Sequence, residues 1–174
     1  MRSARWLLCA FVLLGAAVPK KDTPPPASFK EPDGFAGLRW GASISEAEKL
    51  FQVRGDKKDL GREIEIKAWI TVGEMILDST LTFIDGGFVS IVFSADENYK
   101  DTLVAAFQLK YGPPTMRLPS SNFWHGRRVT IILNTVAVSI GGNRSIWGSL
   151  GHDTFAKFRE QQQRESAGEA AKGL

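Results

Sequence analysis

Cysteine is almost absent: Cys9 is the only one in the 174 residues, and it lies inside an apolar run near the N terminus. If that run is a removed leader, the mature chain has no thiol. Disulfides, thiolate catalysis and cysteine metal sites are then excluded together. Histidine is nearly as scarce. His125 and His152 are the only two, and neither has a second ligand at metal-site spacing, so neither a metal nor a cofactor is expected. An excess of one charge is also missing. The 22 basic and 19 acidic residues give +3, and two of the basic ones, Arg2 and Arg5, belong to the N-terminal leader. That balance supplies no electrostatic case for a nucleic-acid partner.

Motifs for chemistry are lacking as well. No serine sits in a Gly-x-Ser-x-Gly elbow, and neither Gly86-Gly87 nor Gly141-Gly142 opens a helix as a phosphate loop must. Asp78 and Asp85 occupy ordinary strand and turn positions. His125 stands in a turn between Trp124 and Gly126, and His152 precedes Asp153 at a helix start. With no catalytic constellation, the protein is expected not to be an enzyme.

What is present begins with a leader. Residues 1–17 run from Arg2 and Arg5 through the apolar Trp6–Leu14 to Gly15, Ala16 and Ala17, the order of a secretory signal peptide cleaved near Ala17. A membrane anchor is the competing reading, but a spanning helix needs roughly 20 apolar residues and this run is shorter. Cys9 follows Leu7 and Leu8, a poor fit to a lipoprotein cleavage site. A periplasmic or secreted location is expected. Residues 18–28, with Lys20-Lys21 and Pro24-Pro25-Pro26, read as an extended tether. A single domain is expected over 29–158, followed by a polar helical or disordered tail over 159–174.

Within the domain, Ser43 with Glu46 forms a capping box, and Ile44, Ala47, Leu50 and Phe51 share one side of a short helix. Arg54-Gly55-Asp56-Lys57-Lys58-Asp59 reads as a polar loop. Ile64, Ile66, Ala68, Ile70 and Val72 then alternate with Glu63, Glu65, Lys67, Trp69 and Thr71, which predicts a half-buried strand. Met75–Ile84, with Leu77, Leu81 and Phe83 inward, and Phe88–Phe93 make a hairpin across Asp85-Gly86-Gly87. Asn98 is expected to cap a second helix that carries Tyr99, Leu103, Val104, Ala106, Phe107 and Tyr111 on one face and stops at Gly112-Pro113-Pro114. Short strands follow at Asn122–Trp124, Arg128–Leu133 and Val136–Ile140. Beyond the Gly141-Gly142-Asn143 break there remain the apolar piece Ile146-Trp147 and a helix that docks by Phe155 and Phe158.

The expected fold is α+β: a two-layer sandwich, an antiparallel sheet with helices on one face, in the order helix, strands, helix, strands, plus a C-terminal helix.

Aromatic residues are the candidates for binding. Trp69 shares the outward alternation of Glu65 and Lys67, so it is either exposed for a ligand or covered by a loop or the C-terminal helix. Trp124 and Trp147, with Arg127, Arg128 and Arg144 near in sequence, suggest an aromatic and basic patch at a sheet edge. Edge arginines also serve simply to block sheet-to-sheet aggregation.

Three short stretches carry a family resemblance: Phe35-x-Gly37-Leu38-x-Trp40-Gly41-x-Ser43-x-x-Glu46-Ala47, Leu81-x-Phe83-x-Asp85-Gly86-x-x-Val89-x-x-Val92, and Tyr111-Gly112-Pro113-Pro114. The chain resembles small secreted bacterial domains that include the BamE (SmpA/OmlA) outer-membrane assembly lipoproteins, the β-lactamase inhibitor proteins and uncharacterised periplasmic proteins. The resemblance spans roughly 35–140 and implies the two-layer α+β fold and protein binding rather than catalysis. It supplies no catalytic residues, and the lipidated cysteine of the BamE proteins has no counterpart here. The expected function is therefore an exported, non-enzymatic module that binds a protein in the envelope. The alternative is a module for a glycan or a lipid headgroup, built on Trp124, Arg127, Arg128 and Trp147.

Overall fold

The computed structural model describes residues 29–140 and 143–172. The leader over 1–17, the tether over 18–28 and the Gly141-Gly142 break lie outside the described residues. A two-stranded ribbon, β1 (Gly34–Phe35) and β2 (Leu38–Arg39), precedes the first helix, α1 (Ile44–Leu50). Four strands follow: β3 (Gln52–Asp59), β4 (Glu63–Val72), β5 (Met75–Ile84) and β6 (Gly87–Asp96). One 3₁₀ turn at Glu97–Tyr99 leads into α2 (Lys100–Tyr111). Five more strands, β7 (Met116–Leu118), β8 (Ser121–His125), β9 (Val129–Asn134), β10 (Val138–Ile140) and β11 (Asn143–His152), run to α3 (Asp153–Lys172). The main sheet has the order β3-β4-β5-β6-β11-β9-β8-β7, with β10 joined to β11. Every pairing among the described residues is antiparallel, and the α+β class is plain.

The capping box forms as its spacing predicts. The Ser43 side chain accepts from the Glu46 backbone N–H, and the Ser43 N–H donates to Glu46 Oε2 at 2.8 Å. The preceding ribbon turns through Ala36 and Gly37, both at positive φ, and docks on β6: Gly41 N–H donates to Phe88 O at 2.8 Å and Phe88 N–H to Ala42 O at 2.8 Å. Trp40 stacks on Phe88 with ring centroids 5.0 Å apart and donates its indole N–H to Pro32 O. The tryptophan therefore holds the N-terminal ribbon against the sheet.

Several local expectations change. Arg54–Asp59 is not a loop but most of edge strand β3, with a register shift between Arg54 and Lys58. Polar residues suit an edge, and Lys57 and Lys58 pair with Glu48 and Glu65, so the strand is legible as loop by composition alone. Asp96, not Asn98, is the capping residue: its carboxylate accepts from the Asn98 N–H at 2.9 Å and starts the 3₁₀ turn. Strand β7 is additional, and the short piece at Ile146-Trp147 is the middle of the ten-residue strand β11. That strand is central, pairing with β6 and β9 and joining the two halves of the sheet.

One face of the sheet carries the main core. Ile66, Leu77, Leu81, Ile91, Phe93, Ile131, Leu133 and Leu150 pack there with Ala47 of α1 and with Leu103, Phe107 and Tyr111 of α2. The helices do not all lie on that face. Phe155 and Phe158 of α3 form a separate cluster with Ile84 and Val89. Ile84 alternates with core-facing Phe83, and Val89 sits at the register shift between β5 and β6, so this cluster is on the opposite side. Helix α3 thus covers one end of the second face. Glu63, expected in water, is buried beneath it and accepts from Arg159 at 2.6 Å.

Candidate functional site

Residues that pair in register across an antiparallel sheet share a face, so the second face can be read in rows. One row runs Gln52, Trp69, Asp78, Ser94, Trp147 from β3 through β11. The next runs Arg54, Lys67, Thr80, Val92, Ser149, Ile132, Phe123, Met116, from one edge of the sheet to the other. Trp69 is 41% exposed and Trp147 42% exposed. Both project from the uncovered part of the face. Three strand spacings separate them, about 14 Å.

A cleft of about 380 Å³ runs from Arg54, which covers Trp69, to Trp147; its lining includes Lys67, Asp78, Thr80 and Ser94 and the apolar Val92 and Val138. Arg54 has three constraints. Its guanidinium carbon is 4.5 Å from the Trp69 ring centroid, one amino group pairs with Asp78, and its Nε is enclosed with no partner among the described residues. The stacked ring and the carboxylate together orient the fork. Beyond Val92 the row changes character: Val92 and Met116 are exposed, and Ile132 and Phe123 are half-buried, giving an apolar stripe toward β7.

The other sequence candidates are dispersed. Trp124 is a correction: it is 0% exposed and stands in the core beside Phe107, its indole N–H donating to Gly112 O at 2.7 Å. Strand alternation places it on the face opposite Phe123 and Trp147, so it touches no ligand. Arg127 and Arg128 are exposed in the β8–β9 turn. The Arg128 side chain lies 3.7 Å from Glu31, whose carboxylate also accepts from the Arg128 N–H at 2.5 Å. Burial of Glu31 pushes its pKa up, but the backbone donors of Arg128, Val129 and Arg127 and the nearby guanidinium outweigh this and hold it below the ordinary value. Arg144 pairs with Glu97 at 3.0 Å, at the start of β11. The patch of Trp124, Arg127, Arg128, Arg144 and Trp147 therefore does not form a single surface, and Trp147 joins Trp69 instead.

Both histidines have local partners. His125 Nδ1 contacts Thr130 Oγ1 at 3.0 Å on an exposed strand end. His152 Nδ1 lies 2.9 Å from Asp153 Oδ1 and 3.0 Å from Thr154 Oγ1, and its ring is 5.8 Å from Trp40, an arrangement of a helix start. Among the described residues no group of three or more His, Asp or Glu is placed to hold a metal ion. No described helix is long and apolar enough to cross a membrane.

Sequence reasoning missed Arg54, Asp78, Thr80 and Ser94. The alternation of β5 already turns Asp78 and Thr80 outward, and that signal was available. Arg54 was hidden by the loop-like composition of β3, and the row that unites Trp69 with Trp147 needs the β6–β11 pairing. No family model, curated protein or solved structure matches the chain.

Proposed function

We propose that the protein is an exported, non-enzymatic α+β module that binds another protein through the uncovered face of its sheet. The observation that carries this reading is the exposed aromatic and apolar surface on that face: Trp69 and Trp147 in one row, with Val92 and Met116 exposed beside them. A sheet face with large apolar side chains left in water is a contact surface, and tryptophan and arginine are the residue types that anchor such contacts. Export rests on the N-terminal leader pattern, and the resemblance to envelope domains favours binding over catalysis. The expected surface was the sheet face or edge around Trp69 or Trp124; this reading keeps the Trp69 face, and Trp147 takes the place of Trp124.

The test is affinity capture from envelope extracts with wild type, Trp69→Ala and Met116→Glu, each confirmed folded, followed by binding measurements with the purified partner. Both variants should bind it at least tenfold more weakly. Negligible capture by all three, or an identified partner held equally by all three, rejects the reading.

A further inference from the structure

We propose that the cleft between Arg54 and Trp147 is a saccharide site that takes an acidic oligosaccharide, one whose rings carry carboxylates. This goes beyond the protein-binding reading, which takes the whole uncovered face from Trp69 and Trp147 to Met116. The cleft is the more polar part of the same face, with Val92 and Val138 at its side. Its lining is Asp78 and Ser94 in one row and Lys67, Thr80 and Val92 in the next. An apolar segment laid there would strip water from a carboxylate, an ammonium and two hydroxyls and return no hydrogen bonds. A sugar ring meets both demands of such a cleft. Its C–H face lies against the Trp147 indole, and the hydroxyls around its rim donate to Asp78 and accept from Lys67 or the serine and threonine hydroxyls.

Charge selects the acidic class. Asp78 is neutralised by Arg54, while Lys67 makes no ion pair among the described residues. The cleft therefore holds an unbalanced cation. Arg54 is held by Trp69 and Asp78 and closes one end of the cleft. The ammonium of Lys67, facing the Trp147 indole across Ser94 and Thr80, matches a ring carboxylate flanked by hydroxyls.

Calorimetric titration of the full-length protein tests this with four probes: tetragalacturonic acid, a hyaluronan tetrasaccharide, the methyl ester of the first, and polyglutamate. At least one acidic saccharide should bind. Trp147→Ala and Lys67→Gln should each weaken that binding at least tenfold, with circular dichroism and melting temperature unchanged for Lys67→Gln, whose side chain is exposed. The ester and polyglutamate should bind at least tenfold more weakly than the acid. No binding of either acidic saccharide, equal binding of the ester or of polyglutamate, or undiminished binding by Lys67→Gln overturns the proposal. Met116→Glu, which probes the apolar stripe, should leave saccharide binding unchanged, so failure of this site and failure of the protein-binding surface are read separately.

Discussion

Gly148 shows how one residue sets a limit that no pattern of polarity reveals. It lies on the core side of the central strand β11, opposite Phe93 on β6 and Leu133 on β9. A Cβ there would sit 2.6 Å from Phe93 Cζ and 2.9 Å from the backbone oxygen of Ile132. The ring can shift, but the carbonyl belongs to the ladder and cannot. Gly148→Ala is expected to cost about 1–3 kcal/mol in urea denaturation by overpacking, although alanine is the better strand former. Small residues at Ser145, Gly148, Ser149 and Gly151 are also why β11 reads as a short apolar piece in the sequence. Glycine and serine are poor strand formers, and the reason for them here is the bulk of neighbours contributed by other strands.

At the scale of elements, α3 depends on more than its two phenylalanines. Glu63 is 1% exposed, and Arg159 is the cation that balances it. Removing that partner leaves a carboxylate under the helix without compensation. Arg159→Ala should cost about 2 kcal/mol, less than the ~3–5 kcal/mol of a fully enclosed pair because Arg159 is partly in water. Equilibrium unfolding of Arg159→Ala, and of Arg159→Ala combined with Glu63→Gln, checks this, since the neutral amide should recover part of the loss. The helix itself was legible from its composition, and so were Phe155 and Phe158 as its contact points. The acid beneath it was not: Glu63 opens a strand whose odd-numbered positions otherwise read as wet, and only the crossing of α3 over that end of the sheet buries it.

For the whole molecule, the segment before β1 is tied to the far side of the sheet by Glu31, which accepts from the Arg128 N–H at 2.5 Å and the Val129 N–H at 3.2 Å. The carboxylate's pKa is held below its ordinary 4.5 in the folded state. A lowered folded pKa means that the unfolded chain binds the proton more readily, so this contribution is complete above the ordinary carboxylate range and disappears as pH falls through the lowered value. Glu31→Gln should therefore be less stable than wild type by about 1–2 kcal/mol at pH 7. The gap should close on acidification below about pH 4, as followed by thermal melts across pH.

The local devices of this protein were determined by the sequence alone: the Ser43–Glu46 capping box, the alternation of β4, the hairpin at Asp85–Gly87 and the glycine stop of α2. Each depends on residues only a few positions apart, whose backbone preferences and spacing act whatever the rest of the chain does. The tertiary structure decided which strands neighbour one another and which face is left uncovered. It sent Trp124 into the core, although Trp124 and Trp147 look alike by composition, because the two occupy opposite phases of strands that meet through β9. It brought Trp69 and Trp147 into one row across four strands. Pairings between β6 and β11, about fifty to sixty residues apart in the chain, are set by the burial of the whole sheet, and no local pattern carries that information.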